Sequence, residues 1–140
     1  MKTIEQWFAE YGESHRNPTN KTIHWICVPL ITFSVLGALW ALSPLLTWAL
    51  VAVALVFYLN LSRNIAIAMA IVTGFMLLII SNLNNLFMIC AVIFVLAWIG
   101  QFYGHHVEGK KPSFFKDVQF LLIGPIWLLG FVFRKRGWHY

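Results

Sequence analysis

Four long apolar stretches without a single charged side chain limit what this chain can fold into more than any other feature. They run approximately over residues 23–42, 45–59, 65–80 and 86–102. A helix that crosses a bilayer needs about 20 apolar residues, with a lower limit near 17. The first and fourth stretches meet this requirement, and the two middle ones do so if flanking residues lie at the interface. Hydrophobic residues make up 60 % of the chain and charged residues 11 %, whereas soluble domains have about 25 % charged residues. The sequence therefore predicts an integral membrane protein.

The connections between the apolar stretches are short and contain turn-forming residues. They are the pair Ser43-Pro44, the segment 60–64 and the segment 81–85. Short loops place consecutive helices antiparallel to each other. We therefore expect a single all-α membrane domain over residues 1–140, in which four transmembrane helices form an up-down bundle.

Two further segments flank the predicted bundle. Residues 3–11 predict a short amphipathic helix, in which Thr3 and Gln6 fit a capping box. Residues 118–133 are apolar but short, and they contain Gly124-Pro125 near their middle. Because proline lacks a backbone donor and disfavours a straight helix, we expect this segment to be kinked or broken there. It is predicted to be re-entrant or interfacial rather than a fifth span.

The distribution of basic residues predicts the orientation of the bundle. Basic residues precede the first span, lie between the second and third, and follow the fourth, whereas the other two loops contain none. Under the positive-inside rule both termini are cytoplasmic, in a bacterial inner membrane or in the endoplasmic reticulum of a eukaryote. The net charge of +5 then reflects topology and contact with membrane lipid. No motif indicates nucleic-acid binding, and the sequence does not determine the oligomeric state.

The histidines lie in two short tracts that this topology brings to one membrane face. His15 and His24 flank the start of the first span, and His105 and His106 follow the fourth. Imidazole is a common ligand of Fe, Zn, Cu and Ni, so the pattern predicts a metal site without choosing among these metals. Glu108 shares a helix face with His105 if the helix continues that far, and it is a further candidate ligand. The alternatives are interfacial histidines that bind backbone or headgroups, and a Glu108 that pairs with a neighbouring lysine.

A site at the cytoplasmic edge of a bundle suits an amphipathic substrate such as a lipid. The spans contain no Asp, Glu, Lys or Arg, which argues against a proton relay or an ion pathway through the bilayer. The chain also lacks the common hydrolase, nucleotide-binding and zinc-protease motifs. Arg16, Lys21 and Lys110 are candidates for binding a carboxylate head group, unless their charges serve only the topology.

Both histidine tracts match a known family. The pattern H-x-N-P-x-N-x-x-x-H-x-x-x-V-P begins at His15, and Q-F-x-G-H-x-x-E-x-x-x-P begins at Gln101. With these motifs the chain resembles the 2-hydroxy fatty acid dioxygenases, which include a fungal enzyme of fatty-acid alpha-oxidation and bacterial relatives.

The resemblance implies an Fe(II)-dependent enzyme that uses O₂ to shorten a long-chain 2-hydroxy fatty acid by one carbon. The catalytic and metal-binding residues of the family fall on His15, His24, His105 and Glu108. His106 stands where the family pattern varies and remains a candidate ligand by position alone. Two other functions stay open from the residues themselves. One is a non-enzymatic lipid-binding or assembly protein with interfacial histidines, and the other is a haem protein with two axial histidines.

Overall fold

A computed structural model that describes residues 1–140 contains six α-helices and one short 3₁₀ turn, without any strand. The 3₁₀ turn is formed by Ser113–Phe115, between the fifth and sixth helices. The helices are α1 (Ile4–Gly12), α2 (Pro18–Leu42), α3 (Pro44–Leu61), α4 (Arg63–Ile80), α5 (Leu86–Glu108) and α6 (Phe120–Arg136). The predicted all-α class is confirmed.

Four of these helices, α2 to α5, are long and apolar enough to cross a membrane, with 25, 18, 18 and 23 residues. Large apolar side chains such as Leu45, Ile71, Phe75 and Leu96 lie exposed on their outer faces. A surface of this kind is stable in a lipid environment and not in water. The prediction of a helical membrane bundle with four spans is therefore confirmed.

Short polar residues define where the helices begin. Thr3 and Gln6 form the predicted capping box at the start of α1. The Asn17 side chain accepts from the backbone N–H of Thr19, and Pro18 is the first residue of α2. Ser43 and Ser62 cap α3 and α4 in the same way through their side-chain oxygens. These caps satisfy backbone donors that the helices leave unpaired, and they keep the loops short.

Helices α2 and α5 pack closely because small residues lie between them. A Cβ atom added to Gly100 would lie 2.7 Å from the sulfur of Cys27. An added Cβ at Gly104 would overlap the side chain of Asn20, and one at Gly37 would overlap Cys90. Both cysteines are buried and unpaired. The close approach brings the start of α2 against the end of α5, where the predicted histidine tracts lie.

Helices α1 and α6 cover the side of the bundle where α2 and α4 begin and α3 and α5 end. Their apolar side chains form one buried cluster with residues of α2, α3 and α4, which includes Trp7, Tyr58, Ile65, Ile123 and Ile126. α6 has 17 residues and is not among the four candidate spans.

We expected a kink or a break at Gly124-Pro125, and the break is absent because α6 runs through Pro125 without interruption. Pro125 is only the sixth residue of α6, so it removes a single intrahelical bond near the helix start. Nearby, the Tyr58 hydroxyl donates to the carbonyl of Leu122 at 2.8 Å. A proline in the first turns of a supported helix therefore does not interrupt it.

Candidate metal centre

Three buried histidines meet where α2 begins and α5 ends. His15 lies in the loop between α1 and α2, His24 lies on the second turn of α2, and His105 lies on the last turn of α5. One ring nitrogen from each lies within 4.8 Å of the other two. Their exposed fractions are 1 %, 1 % and 4 %. The structure thus brings together three of the four histidines that the sequence placed on one face.

Backbone carbonyls determine which nitrogen of two rings carries a hydrogen. His15 Nδ1 lies 2.6 Å from the carbonyl oxygen of Tyr11, and His24 Nδ1 lies 2.9 Å from that of Asn20. Because a carbonyl can only accept, Nδ1 is the donor in both rings, and each neutral ring has its lone pair on Nε2. The two Nε2 atoms lie 2.7 Å apart. Two lone pairs at this distance repel each other unless a cation lies between them.

A proton does not supply that cation at neutral pH. Burial, opposed in part by the Tyr11 carbonyl and assisted by the nearby His105 ring, lowers the pKa of His15 to about 4. A metal ion would fit, because two neutral imidazole lone pairs that face each other in a buried site are donors that bind such an ion. The donor set therefore matches a divalent transition metal.

His105 provides the third nitrogen. Its Nδ1 atom is buried and has no hydrogen-bond partner. An unpaired buried nitrogen is unfavourable by about 1–3 kcal/mol, which a ligand would recover. The His105 ring stands nearly perpendicular to the other two, with centroids 4.9 Å from His15 and 5.0 Å from His24. Tyr11 also packs against the group, because its ring stacks on His15 with the ring centroids 4.1 Å apart.

Glu108 does not belong to this group of three histidines. The helix does continue to Glu108 and ends at Gly109, whose φ of 76° is in the left-handed region. However, the carboxylate oxygen Oε1 accepts hydrogen bonds from the backbone N–H of Asn17 at 2.8 Å and from the Asn20 side chain at 3.1 Å. It thereby joins the end of α5 to the start of α2, where a negative charge also complements the helix dipole.

Asn20 connects the parts of the site, and sequence reasoning missed it. It is 0 % exposed. Its side-chain nitrogen donates to Glu108 and to the carbonyl of Ser14 at 3.0 Å. The backbone carbonyl of Asn20 accepts from Nδ1 of His24 and so orients that ring. The signal was available, since Asn20 precedes His24 by four residues at the start of an apolar helix. Tyr11 precedes His15 by the same interval.

The remaining predicted residues lie outside the group. His106 is exposed and is not among the clustered histidines. Lys110 lines an open groove of about 640 Å³ together with His105 and His106. Arg16 and Lys21 line neither this groove nor the cavity beside the histidines. Of the three candidates for head-group binding, only Lys110 therefore shares a surface with a histidine of the group.

A small cavity of about 50 Å³ adjoins the three histidines. Its other walls come from α1, α2, α5, the 3₁₀ turn and α6 and include Gln101, Val28 and Phe120. A second cavity of about 140 Å³ lies between α2, α4 and α6 and is lined mostly by apolar side chains. The two cavities share Val28, Thr32 and Pro125 as walls. A polar head at the histidines and an apolar tail between the helices would match this arrangement.

Comparison with known proteins gives one match. A family model described as Mpo1-like, 2-hydroxy-palmitic acid dioxygenase Mpo1-like, matches residues 1–136. This range includes α1, both histidine tracts and α6. No curated protein and no solved structure matches the chain.

Proposed function

Because the chain belongs to the Mpo1-like family of 2-hydroxy-palmitic acid dioxygenases, we propose that it is an Fe(II)-dependent membrane dioxygenase of 2-hydroxy fatty acids. The reaction would remove the carboxyl carbon and convert the hydroxyl-bearing carbon into the new carboxyl group. One O₂ balances this change, since R–CHOH–COOH and O₂ contain the atoms of R–COOH, CO₂ and water. The observation that carries the proposal is the buried group of His15, His24 and His105.

These three imidazoles would hold the metal ion, and a ferrous ion bound there supplies Lewis acidity and reactivity toward O₂. The imidazoles are neutral, and Glu108 is engaged by Asn17 and Asn20. The group therefore brings no negative charge of its own, so a divalent ion would leave a buried positive charge. The carboxylate of a hydroxy acid would compensate that charge.

The rest of the site would bind and orient the substrate. Lys110 in the groove beside His105 would attract the carboxylate as it approaches. The apolar walls beyond the histidines, with Val28 and Pro125 common to both cavities, would bind the alkyl chain and exclude water. Tyr11 stacks on His15, and the Tyr11 and Asn20 carbonyls hold the His15 and His24 rings in the required tautomer. We further propose that this face is cytoplasmic, because the basic segments flank it.

The geometry argues against a haem with His15 and His24 as axial ligands. The two nitrogens of axial ligands lie on opposite sides of the iron. The distance between them is therefore about twice a metal–nitrogen distance of roughly 2 Å. The 2.7 Å between the two Nε2 atoms leaves no room for a porphyrin between them. A non-enzymatic lipid-binding protein would instead show neither iron binding nor O₂ uptake.

The test uses the detergent-purified protein, reconstituted with Fe(II) under anaerobic conditions. Addition of 2-hydroxypalmitate and O₂ is expected to consume O₂ and to yield the acid shorter by one carbon, detected by mass spectrometry. His24→Ala and His105→Ala should lose iron and turnover while remaining folded. His139→Ala is the matched control, since His139 is exposed in the C-terminal tail. Full turnover and iron content in either site variant, or no O₂ uptake by the wild type, would refute the proposal.

A further inference from the structure

Gln101 is a buried polar residue whose role the metal site does not explain. It lies on α5 four residues before His105, so both side chains share one face of the helix. Its exposed fraction is 7 %. It is the only amide side chain within α5, which is otherwise apolar until His105.

The amide oxygen of Gln101 has no hydrogen-bond partner in the protein. Buried polar atoms are nearly always paired, because an unpaired one loses its bonds to water without replacement. A methionine or leucine at this position would avoid that loss. An amide at this position therefore indicates that something outside the protein fold bonds to it.

The surroundings of Gln101 indicate what that ligand is. Gln101 lines the same small cavity as His15, His24 and His105. Trp98, one turn earlier on α5, also lines this cavity. Its indole N–H is also buried without a partner. Two residues that line the cavity of the histidines thus carry unpaired buried groups, an acceptor on Gln101 and a donor on Trp98. A molecule with a hydroxyl group next to a carboxylate would satisfy such a pair of groups.

We propose that Gln101 is the residue by which the site selects a 2-hydroxylated acid over the unsubstituted acid. This inference rests on the proposed function and names its specificity determinant. The Gln101 oxygen accepts a hydrogen bond from the 2-hydroxyl group of the substrate. A site built to bond a hydroxyl discriminates against an analogue that lacks it, because the buried protein group then stays unpaired.

The test compares Gln101→Met with the wild type, because methionine keeps the length of the side chain and removes its polar atoms. In the iron-loaded enzyme the KM for 2-hydroxypalmitate is expected to rise about tenfold, the equivalent of one hydrogen bond. The inhibition constant of palmitate, which has no 2-hydroxyl group, should stay unchanged. Iron content should also stay unchanged. Gln119→Met makes the same chemical change at an exposed position and is expected to alter none of these values.

A second measurement does not depend on turnover. In the metal-free protein, 2-hydroxypalmitate should raise the melting temperature more than palmitate does, and Gln101→Met should abolish that difference. The variant itself should melt no lower than the wild type, because it removes an unpaired buried group. A glutamine that only binds a structural water or packs the core would give the opposite result, a lower melting temperature and an unchanged preference.

The two measurements separate failure of this inference from failure of the proposed function. An active wild type together with a Gln101→Met variant that keeps its preference for the hydroxy acid overturns the inference alone. A wild type without O₂ uptake overturns the proposed function. In that case the melting experiment still decides whether Gln101 recognises the hydroxyl group, and equal stabilisation of the wild type by both acids overturns the inference.

Discussion

Replacing Glu108 distinguishes a carboxylate that binds the metal from one that holds the site together. Its oxygen Oε1 accepts two hydrogen bonds, from the Asn17 backbone at 2.8 Å and from the Asn20 side chain at 3.1 Å. Glu108→Ala removes both bonds. Glu108→Gln removes the charge but keeps an oxygen that can accept both. The two variants therefore differ in the bonds between α5 and α2, and they share the loss of an anionic ligand.

The expected magnitudes follow from these bonds. A hydrogen bond to a charged group contributes about 1.5–3 kcal/mol to stability, and a neutral one about 1 kcal/mol. Because Glu108 is only half-buried, the lower end of the range for charged groups, about 1.5 kcal/mol, applies to each of the two bonds. Glu108→Ala should then lower the free energy of unfolding by about 3 kcal/mol, and Glu108→Gln by about 1 kcal/mol. Since Asn20 bonds to the Ser14 carbonyl next to His15 and its backbone carbonyl orients His24, Glu108→Ala should also weaken metal affinity, by roughly 10–100-fold.

The assay is thermal and denaturant unfolding in detergent, with iron content measured on the same samples. Glu13→Gln is the matched control, because Glu13 is exposed and only 3.8 Å from Lys116 in a surface ion pair; it should change stability by less than about 0.5 kcal/mol. The reasoning fails if Glu108→Gln unfolds like the wild type yet loses iron as completely as His24→Ala. That result would make Glu108 a metal ligand.

Three further predictions concern the packing and the metal. Gly104→Ala should destabilise the protein by about 1–3 kcal/mol by forcing Asn20 out of place and should lower its iron content. Gly74→Ala, which meets nothing within 4 Å, should instead be neutral or stabilising by up to about 1 kcal/mol. Equal changes in stability in the two variants would refute the role of the close approach between α2 and α5. Removing iron with a chelator should lower the melting temperature, and Fe(II) at 100 times its dissociation constant should restore about 2.7 kcal/mol. A variant without one site histidine should not respond. Tyr58→Phe removes the 2.8 Å bond to the Leu122 carbonyl and should lower stability by about 1 kcal/mol. Its iron content should stay unchanged, because this bond is remote from the site.

Much of the fold was predictable because it depends on local sequence. Uncharged apolar stretches of sufficient length predict spans, and the residues that begin helices are short-range signals, as at Thr3 and at Asn17-Pro18. The sequence predicted a kink or a break at Pro125, and the break does not occur, for a local reason of the same kind. Its effect depends on its distance from the helix start, and the sequence did not locate that start.

The family motifs separated His105 from His106, but the chain's own topology predicted the candidate site only to the level of a membrane face. Counting spans places the start of α2 and the end of α5 on the same side, so the two histidine tracts could be expected near each other. Which way each side chain points depends on the rotation of each helix about its own axis. That rotation follows from packing between elements distant in sequence, such as Gly104 against Asn20, and a single apolar stretch does not encode it.

By itself, therefore, the sequence determined a four-span helical membrane protein with two histidine tracts at one face, because apolar length, helix caps and charge distribution are properties of the chain. Only the tertiary structure decided that His15, His24 and His105 meet, that Glu108 turns toward Asn17 and Asn20, and that Gln101 faces the same cavity with an unpaired oxygen. The physical reason is that these features depend on how closely α2 and α5 approach and on how each is rotated. Both quantities are set by pairs of residues that lie far apart in the sequence.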